Sequence, residues 1–290
     1  MAEKKDIDEF TGIETTGHDW DGIKELNNPL PRWWIWTFYV TVAWGLAYTV
    51  VYPAWPLLSS STQGIFGWSS RASLAESVSA ADAARADLVS AVAEKDVAAI
   101  VADDNLRQFA INGGKAAYKV NCVQCHGSGA TGSPGYPNLN DDDWIWGGTI
   151  EEIHTTLMHG VRSEADDDTR LSDMPAFGAD DLLDDDQISD VAWYVRKISG
   201  QEADEAAAGR GASVYADECA SCHGDNGEGV RDVGGPRLSD AIWLYGGSHD
   251  EIVVQIAKPR QGVMPGWQAR LGDVTVKQMA VYVHSLGGGE

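Results

Sequence analysis

The sequence predicts a mostly α-helical chain: one N-terminal membrane-spanning helix followed by two tandem copies of a small helical domain. Three observations carry this. Residues 33–52 hold no charged side chain, the stretch from about 104 onward repeats itself, and no alternating strand pattern stands out. The length of 290 residues is room for about two ordinary domains, and 43% hydrophobic against 22% charged residues suffices to bury cores. With 44 Asp and Glu against 21 Lys and Arg, the net charge of −23 argues against a nucleic-acid partner. Affinity for phosphate backbones comes from neutralising them with cations, so a basic partner is the natural expectation.

Residues 1–32 are polar, carry eight acids and four bases, and close with the helix-breaking run Asn27-Asn28-Pro29-Leu30-Pro31-Arg32. They read as a tail. Residues 33–52, WWIWTFYVTVAWGLAYTVVY, span roughly 30 Å as a helix, the thickness of a bilayer's hydrocarbon core. Trp33, Trp34 and Trp36 at one end, with Tyr52 and Trp55 at the other, are the amphipathic aromatics expected at the two membrane interfaces. The run is too long, starts too late and lacks the small-residue cleavage site of a signal peptide, so it reads as an anchor in the lipid bilayer. Lys24 and Arg32 precede it and the first base after it is Arg71, which places the N-terminus in the cytoplasm. Residues 53–103 read as a linker: Pro53, Pro56, a Ser/Gly stretch, and an Ala-rich helix from 71 to about 102.

The repeat follows. CVQCHGSGATG (122–132) matches CASCHGDNGEG (219–229), PNLND (137–141) matches PRLSD (236–240), and WIWGG (144–148) matches WLYGG (243–247), at offsets of 97, 99 and 99. Met174-Pro175-Ala176-Phe177 answers Met264-Pro265-Gly266-Trp267, and DVAWYVRKISG (190–200) answers QMAVYVHSLGG (278–288). Two domains of about 90 residues result, 104–200 and 201–290. Each is expected to run as a helix before the cysteines (105–121 and 202–218), a loop, a short helix (150–159 and 249–257), a methionine loop and a last amphipathic helix. From Gly148 to Met174 is 26 residues and from Gly247 to Met264 is 17, so the first copy carries nine extra, around 164–168, expected as a surface loop.

Cys-x-x-Cys-His is the attachment signature of c-type haem. Two thiols bond to the two haem vinyl groups, and the next residue, on the same turn, presents an imidazole to iron. Here the sets are Cys122, Cys125 with His126, and Cys219, Cys222 with His223. A zinc site needs four ligands, and each domain offers only two cysteines and a histidine. A thioredoxin-like motif needs a βαβ surround that the sequence lacks. Two covalently bound haem c groups therefore consume all four thiols. Such haems are attached outside the plasma membrane, which places the haem domains in the periplasm, in agreement with the charge rule.

Met174 and Met264, each before a proline in matching loops, are the candidates for the sixth iron ligand, the arrangement of electron-carrying cytochromes c. Met158 and Met279 fall on helices at unmatched positions, where core packing accounts for them. His154, His159, His249 and His284 have no equivalents across the copies. Pro137 and Pro236, 11 and 13 residues after the histidines, are placed for a backbone carbonyl to accept the imidazole N–H. Trp144, Trp146, Trp243 and Tyr245 are candidates for covering a haem edge or donating to propionates, with simple packing as the alternative. Arg237 is a candidate propionate partner, with a solvated arginine as the alternative.

HDWDGIKELNNPLPRWW (18–34), one anchor and two haem domains in this order resemble the dihaem subunit III (CcoP/FixP family) of the cbb3-type cytochrome c oxidases. The resemblance covers nearly the full chain and implies two class I-like cytochrome c domains. It implies electrons taken from a donor cytochrome c and passed through two haems to the monohaem cytochrome c subunit, and thence to the catalytic haem–copper subunit that reduces oxygen. On this resemblance the chain is an electron carrier of the bacterial inner membrane with no catalytic residue of its own, and the second anchor of some members is not visible. Cys122, Cys125, Cys219 and Cys222, with axial His126, Met174, His223 and Met264, match the family pattern. Residues 104–200 hold 7 bases and 17 acids, and 201–290 hold 7 and 13, a surface suited to steering a basic donor. A tethered dihaem shuttle and a dihaem peroxidase or sensor are the competing readings; the last needs an open axial site.

Overall fold

An Asp-Gly pair turns the N-terminal segment back on itself. Strands β1 (Thr15–Trp20) and β2 (Ile23–Leu26) pair antiparallel, with Trp20 opposite Ile23 and Asp19 opposite Lys24. Asp21 and Gly22 both have positive φ, the geometry a two-residue hairpin requires. Lys24 Nζ reaches Asp6 at 2.8 Å and Trp20 Nε1 donates to Glu25 at 3.1 Å. The expected tail is thus a hairpin from its middle onward, held by polar cross-strand contacts that a search for an apolar face misses. The computed structural model describes residues 6–290, so the first five residues of the tail lie outside the described residues.

Pro31 precedes helix α1 (Arg32–Val51), whose side chains are nowhere buried by protein. Its length and apolar composition suit it to cross a membrane. Thr37, Thr41 and Thr49 donate their hydroxyls to the carbonyls of Trp33, Phe38 and Leu46, so these polar groups are satisfied within the helix. Beyond it the connector folds onto the helix end: Ile65 and Phe66 donate to the Val50 and Val51 carbonyls. Helix α2 (Ser70–Glu94) follows, and the predicted Ala-rich helix breaks at Lys95, where Asp96 caps a separate α3 (Val97–Ala102). The chain divides into two compact units, one ending at Ala84 and one comprising Arg85–Glu290.

The second unit contains both cysteine pairs. Its helices start at side-chain caps: Asp103 for α4 (Asp104–Asn121), Thr149 with Glu152 for α6 (Ile150–His159), and Asp184 with Gln187 for α7 (Asp185–Ile198). Asp204 caps α8 (Glu205–Val214), and Ser248 with Glu251 caps α10 (His249–Ala257). Between these lie the one-turn helices α5 (Val123–His126) and α9 (Ala220–His223); α11 (Gln268–Leu271) and α12 (Asp273–His284) end the chain.

Two hydrophobic cores form, and they do not follow the division at residue 200. The first gathers Val92, Ile100, Leu106, Tyr118, Ile153 and Leu157 with Val276, Met279 and Val281 from α12. The second gathers Phe177, Ile188, Val191 and Val195 with Tyr215, Ile252 and Ile256. Helix α12, the last of the second copy, therefore packs on α4 of the first, while α7 of the first packs on α8 of the second. The copies are tandem in sequence and exchange their final helices in space, so the two cores do not coincide with 104–200 and 201–290. The physical reason is the short link of 199–204 between α7 and α8, which keeps these sequence neighbours in contact.

Glycine permits both crossings. A Cβ on Gly114 of α4 would lie 2.1 Å from the Gln278 carbonyl oxygen, and one on Gly211 of α8 would lie 2.1 Å from that of Asp190. These glycines are 97 residues apart, so each copy supplies the same close-approach position to the other copy's helix.

Candidate metal centres

Each Cys-x-x-Cys-His sits on the turn that ends a long helix. Cys122 donates its N–H to Tyr118, α5 makes one turn, and Gly127 at φ +78° stops it; Gly224 at φ +81° stops α9 in the same way. The turn brings two thiols and an imidazole together, and the four thiols remain free of disulfides. Burial pushes the Cys122 and Cys219 thiols up to about 11.

His126 Nδ1 donates to the Pro137 carbonyl at 3.0 Å, and His223 Nδ1 donates to that of Pro236 at 2.9 Å. These bonds fix ring orientation and leave each Nε2 as the free lone pair. Burial lowers both imidazole pKa values, opposed by the proline carbonyls, which keeps the rings neutral as a metal requires.

The methionine loops follow the exchange of helices. Met264 packs against the first core, which contains Cys122, and Trp267 of its loop is buried there. Met174 packs against the second core alongside Cys219, and Phe177 of its loop is buried there. The thioether beside the first cysteine pair thus comes from the second copy, and the reverse holds for the other pair. Backbone bonds fix this: Met264 and Val161 exchange two hydrogen bonds of 2.9 Å, and Trp267 N–H donates to Leu157 at 2.9 Å. The donor set on each side, two thiols, an imidazole with its Nδ1 engaged and a thioether, fits a covalently attached haem and fits zinc poorly.

Two residues of this site escaped the sequence reading. Buried Tyr118 and Tyr215 donate their hydroxyls to the carbonyls of Gly127 and Gly224 at 2.9 and 2.8 Å, bracing the turn that carries the histidine. Each stands four residues before the first cysteine of its pair, a coincidence visible in the repeat. Burial pushes the Tyr118 phenol up to about 12, so it remains a donor.

The other candidates divide. Trp144 Nε1 donates to the Gly288 carbonyl, so its indole is committed to the backbone, and its face lies against Gly148. Trp243 lies against Gly247 in the same way. Trp146 packs on Gly234 beneath the Arg170 guanidinium, and Tyr245 packs on Gly135 beneath Arg260. Arg237 is exposed and offsets the charge of Asp143, whose carboxyl burial and the neighbouring Asp240 and Asp141 push up to about 6. Among the rival ligands, His159 pairs with Asp166 at 3.1 Å, His249 stacks on Trp193, and His284 bonds the Glu290 carbonyl. Met279 is fully buried in the first core. In the extra segment of the first copy Glu164, Ala165, Asp167 and Asp168 are exposed, as a surface loop requires.

Comparison with known proteins shows the family of this chain. Residues 12–59 match the family described as "N-terminal domain of cytochrome oxidase-cbb3, FixP", and residues 109–195 and 206–283 match "Cytochrome C oxidase, cbb3-type, subunit III". The chain is 55% identical over 276 residues, 95% of each chain, to the cbb3-type cytochrome c oxidase subunit CcoP of Cereibacter sphaeroides. It is 51% identical over 291 residues, the whole of both chains, to the subunit FixP of Sinorhizobium medicae. A CcoP subunit of an Azospirillum species is 47% identical over 291 residues, 98% of each. The matched residues run from the hairpin through the anchor helix and across both cysteine turns, and the chain belongs to the CcoP/FixP family, the haem c-binding subunit III of cbb3-type cytochrome c oxidases.

Proposed function

We propose that this chain carries two haems and is the electron-receiving arm of its oxidase. Cys122 and Cys125 would attach the first haem, with His126 and Met264 holding its iron; Cys219 and Cys222 would attach the second, with His223 and Met174 holding its iron. The observation that carries this reading is the pair of equivalent turns, each with its histidine Nδ1 already bonded to a proline carbonyl and a methionine loop packed on the same core. Bound haem c supplies one-electron chemistry at iron. The protein's part is to hold the imidazole neutral and oriented, to bring the thioether from the partner copy, and to keep water from the buried side of each centre. Ligation by the two thioethers would raise the potential, which suits relay rather than oxygen chemistry.

Helix α1 anchors the subunit in the bacterial inner membrane with the hairpin in the cytoplasm and the haem halves in the periplasm, on the strength of Lys24 and Arg32 before the helix. Electrons come from a basic donor cytochrome c and pass to the monohaem and haem–copper subunits. The excess of ten acids over bases in 104–200 steers that donor, so turnover falls severalfold as ionic strength rises through the physiological range. Turnover independent of salt removes the steering.

The experiment is purification of the tagged chain from native membranes in mild detergent, with oxygen uptake driven by a reduced donor. Co-purification of haem–copper and monohaem subunits, two haems per chain and cyanide-sensitive uptake are the expected result. A dihaem protein recovered alone from membranes that retain an intact oxidase points instead to a tethered shuttle.

A further inference from the structure

Arg162 stands at the mouth of the extra segment of the first copy, one residue after the Val161 that holds Met264. Its backbone is left-handed at φ +51°, and its N–H donates to the Arg170 carbonyl at 2.9 Å. Its side chain reaches both methionine loops at once. Nε donates to the Gly262 carbonyl at 2.8 Å, and Nη1 donates to the Ser172 carbonyl at 2.8 Å. Each acceptor lies two residues before a methionine, Met264 in one case and Met174 in the other. The side chain is half-buried and makes no ion pair with a carboxylate among the described residues, and its Nε and Nη1 hydrogen bonds go to these loops.

We infer that Arg162 is a positioning residue that couples the two thioether ligands, so that both methionines are held, or lost, together. A planar fork with donors fixed in two directions suits this task; lysine, a point charge on a flexible stem, does not. The repeat supplies a reciprocal tie. Gln261 lies 99 residues after Arg162, the offset of the surrounding motif, and its Nε2 donates to the Met174 carbonyl at 3.2 Å from within the Met264 loop. The two loops therefore form one hydrogen-bonded unit with Arg162 at its centre. The consequence is that breaking the Arg162 tie loosens both thioethers, and both potentials fall together, because thioether ligation is what raises them.

The inference rests on the proposed ligation by Met174 and Met264, and one series of variants in the full-length, haem-loaded chain separates the two. The readouts are the far-red thioether-to-iron charge-transfer band of the oxidised protein, per attached haem, and carbon monoxide binding by the reduced protein. Met174→Leu and Met264→Leu are each expected to remove one centre's share, half of the band. Arg162→Gly suits the left-handed backbone and is expected to take the band below half, with carbon monoxide binding at both centres. A band untouched by either methionine variant overturns the ligation. A band halved by each methionine variant, but unchanged by Arg162→Gly or lost at one centre only, overturns the coupling and leaves the ligation standing. If Arg162→Gly does not retain its haems, Arg162→Gln, which keeps an amide donor, decides by the same criterion: weakening at both centres supports the coupling, and weakening at one or none overturns it.

Discussion

The two cysteine-bearing halves arise from one repeated sequence, yet they hold their methionine loops differently. Met264 is paired with Val161 through its own backbone, and Val161 is flanked on its other side by Arg170. Met174 accepts a side-chain bond from Gln261, and its loop accepts another from Arg162 at Ser172. The helix before the cysteines also differs: α4 runs regularly to Asn121, whereas α8 passes through a π-helical turn at Tyr215–Cys219. The extra residues of the first copy account for the methionine contrast, because they let the chain return at Arg170 beside Val161 and complete a backbone clamp on Met264. The second copy has no such return. Shared motifs thus set which atoms face each centre, and the segment between the motifs sets how firmly they are held.

The comparison breaks most sharply at the crossings. Gly114→Val forces a side chain into the Gln278 carbonyl and Gly211→Val forces one into that of Asp190, each at a cost of about 3 kcal/mol. The exchange predicts that Gly114→Val, by dislodging α12, removes the thioether of the first centre, and that Gly211→Val, by dislodging α7, removes that of the second. Thermal melts with carbon monoxide titration of each variant check this. Self-contained copies would give the opposite assignment.

Heating the unmodified protein sharpens it further. The far-red band is expected to be lost at both centres in one step, because Arg162 and Gln261 tie the Met174 loop to the backbone-paired Met264 loop. Loss in two well-separated steps contradicts the coupling.

A smaller effect is expected at the braces. Tyr118→Phe and Tyr215→Phe each strand a glycine carbonyl and cost about 1–2 kcal/mol, with similar values in the two halves because the bonds are alike at 2.9 and 2.8 Å. Denaturant titration of the single variants measures this.

The smallest effect is on pH dependence. Burial and the neighbouring Asp240 and Asp141 lift Asp143 to about 6, above its unfolded value, so the folded chain binds the extra proton. The contribution of Asp143 to stability is therefore greatest below the ordinary carboxylate range and falls as pH rises to about 6, by about 1 kcal/mol for a half-buried group. Asp143→Asn flattens that slope in melts taken across the same range.

Much of this was legible in the chain. The helix expected at 33–52 is observed at Arg32–Val51, since twenty uncharged residues admit few other folds. The carbonyls of Pro137 and Pro236 were placed by motif spacing alone. The exchange of final helices was not legible, because DVAWYVRKISG and QMAVYVHSLGG carry the same pattern and either fits either core. Only the length of the link at 199–204 separates the alternatives, and pattern says nothing of links. The hairpin at 15–26 was signalled by Asp21-Gly22 but hidden by charge, since its stabilising contacts are polar. Tyr118 and Tyr215 were hidden because a tyrosine four residues before a cysteine looks like any core aromatic until its hydroxyl is seen to meet a carbonyl.

The exchange is tested most directly by nuclear magnetic resonance on the reduced, haem-loaded protein carrying labelled methionine methyl groups. Through-space contacts connect each ligand methyl to the edge of the haem it ligates, and that edge to the thioether bridges on which the haem is attached. The exchange predicts that the Met264 methyl leads to the bridges at Cys122 and Cys125, and the Met174 methyl to those at Cys219 and Cys222. A path from Met174 to Cys122 and Cys125 would contradict it and restore two self-contained domains.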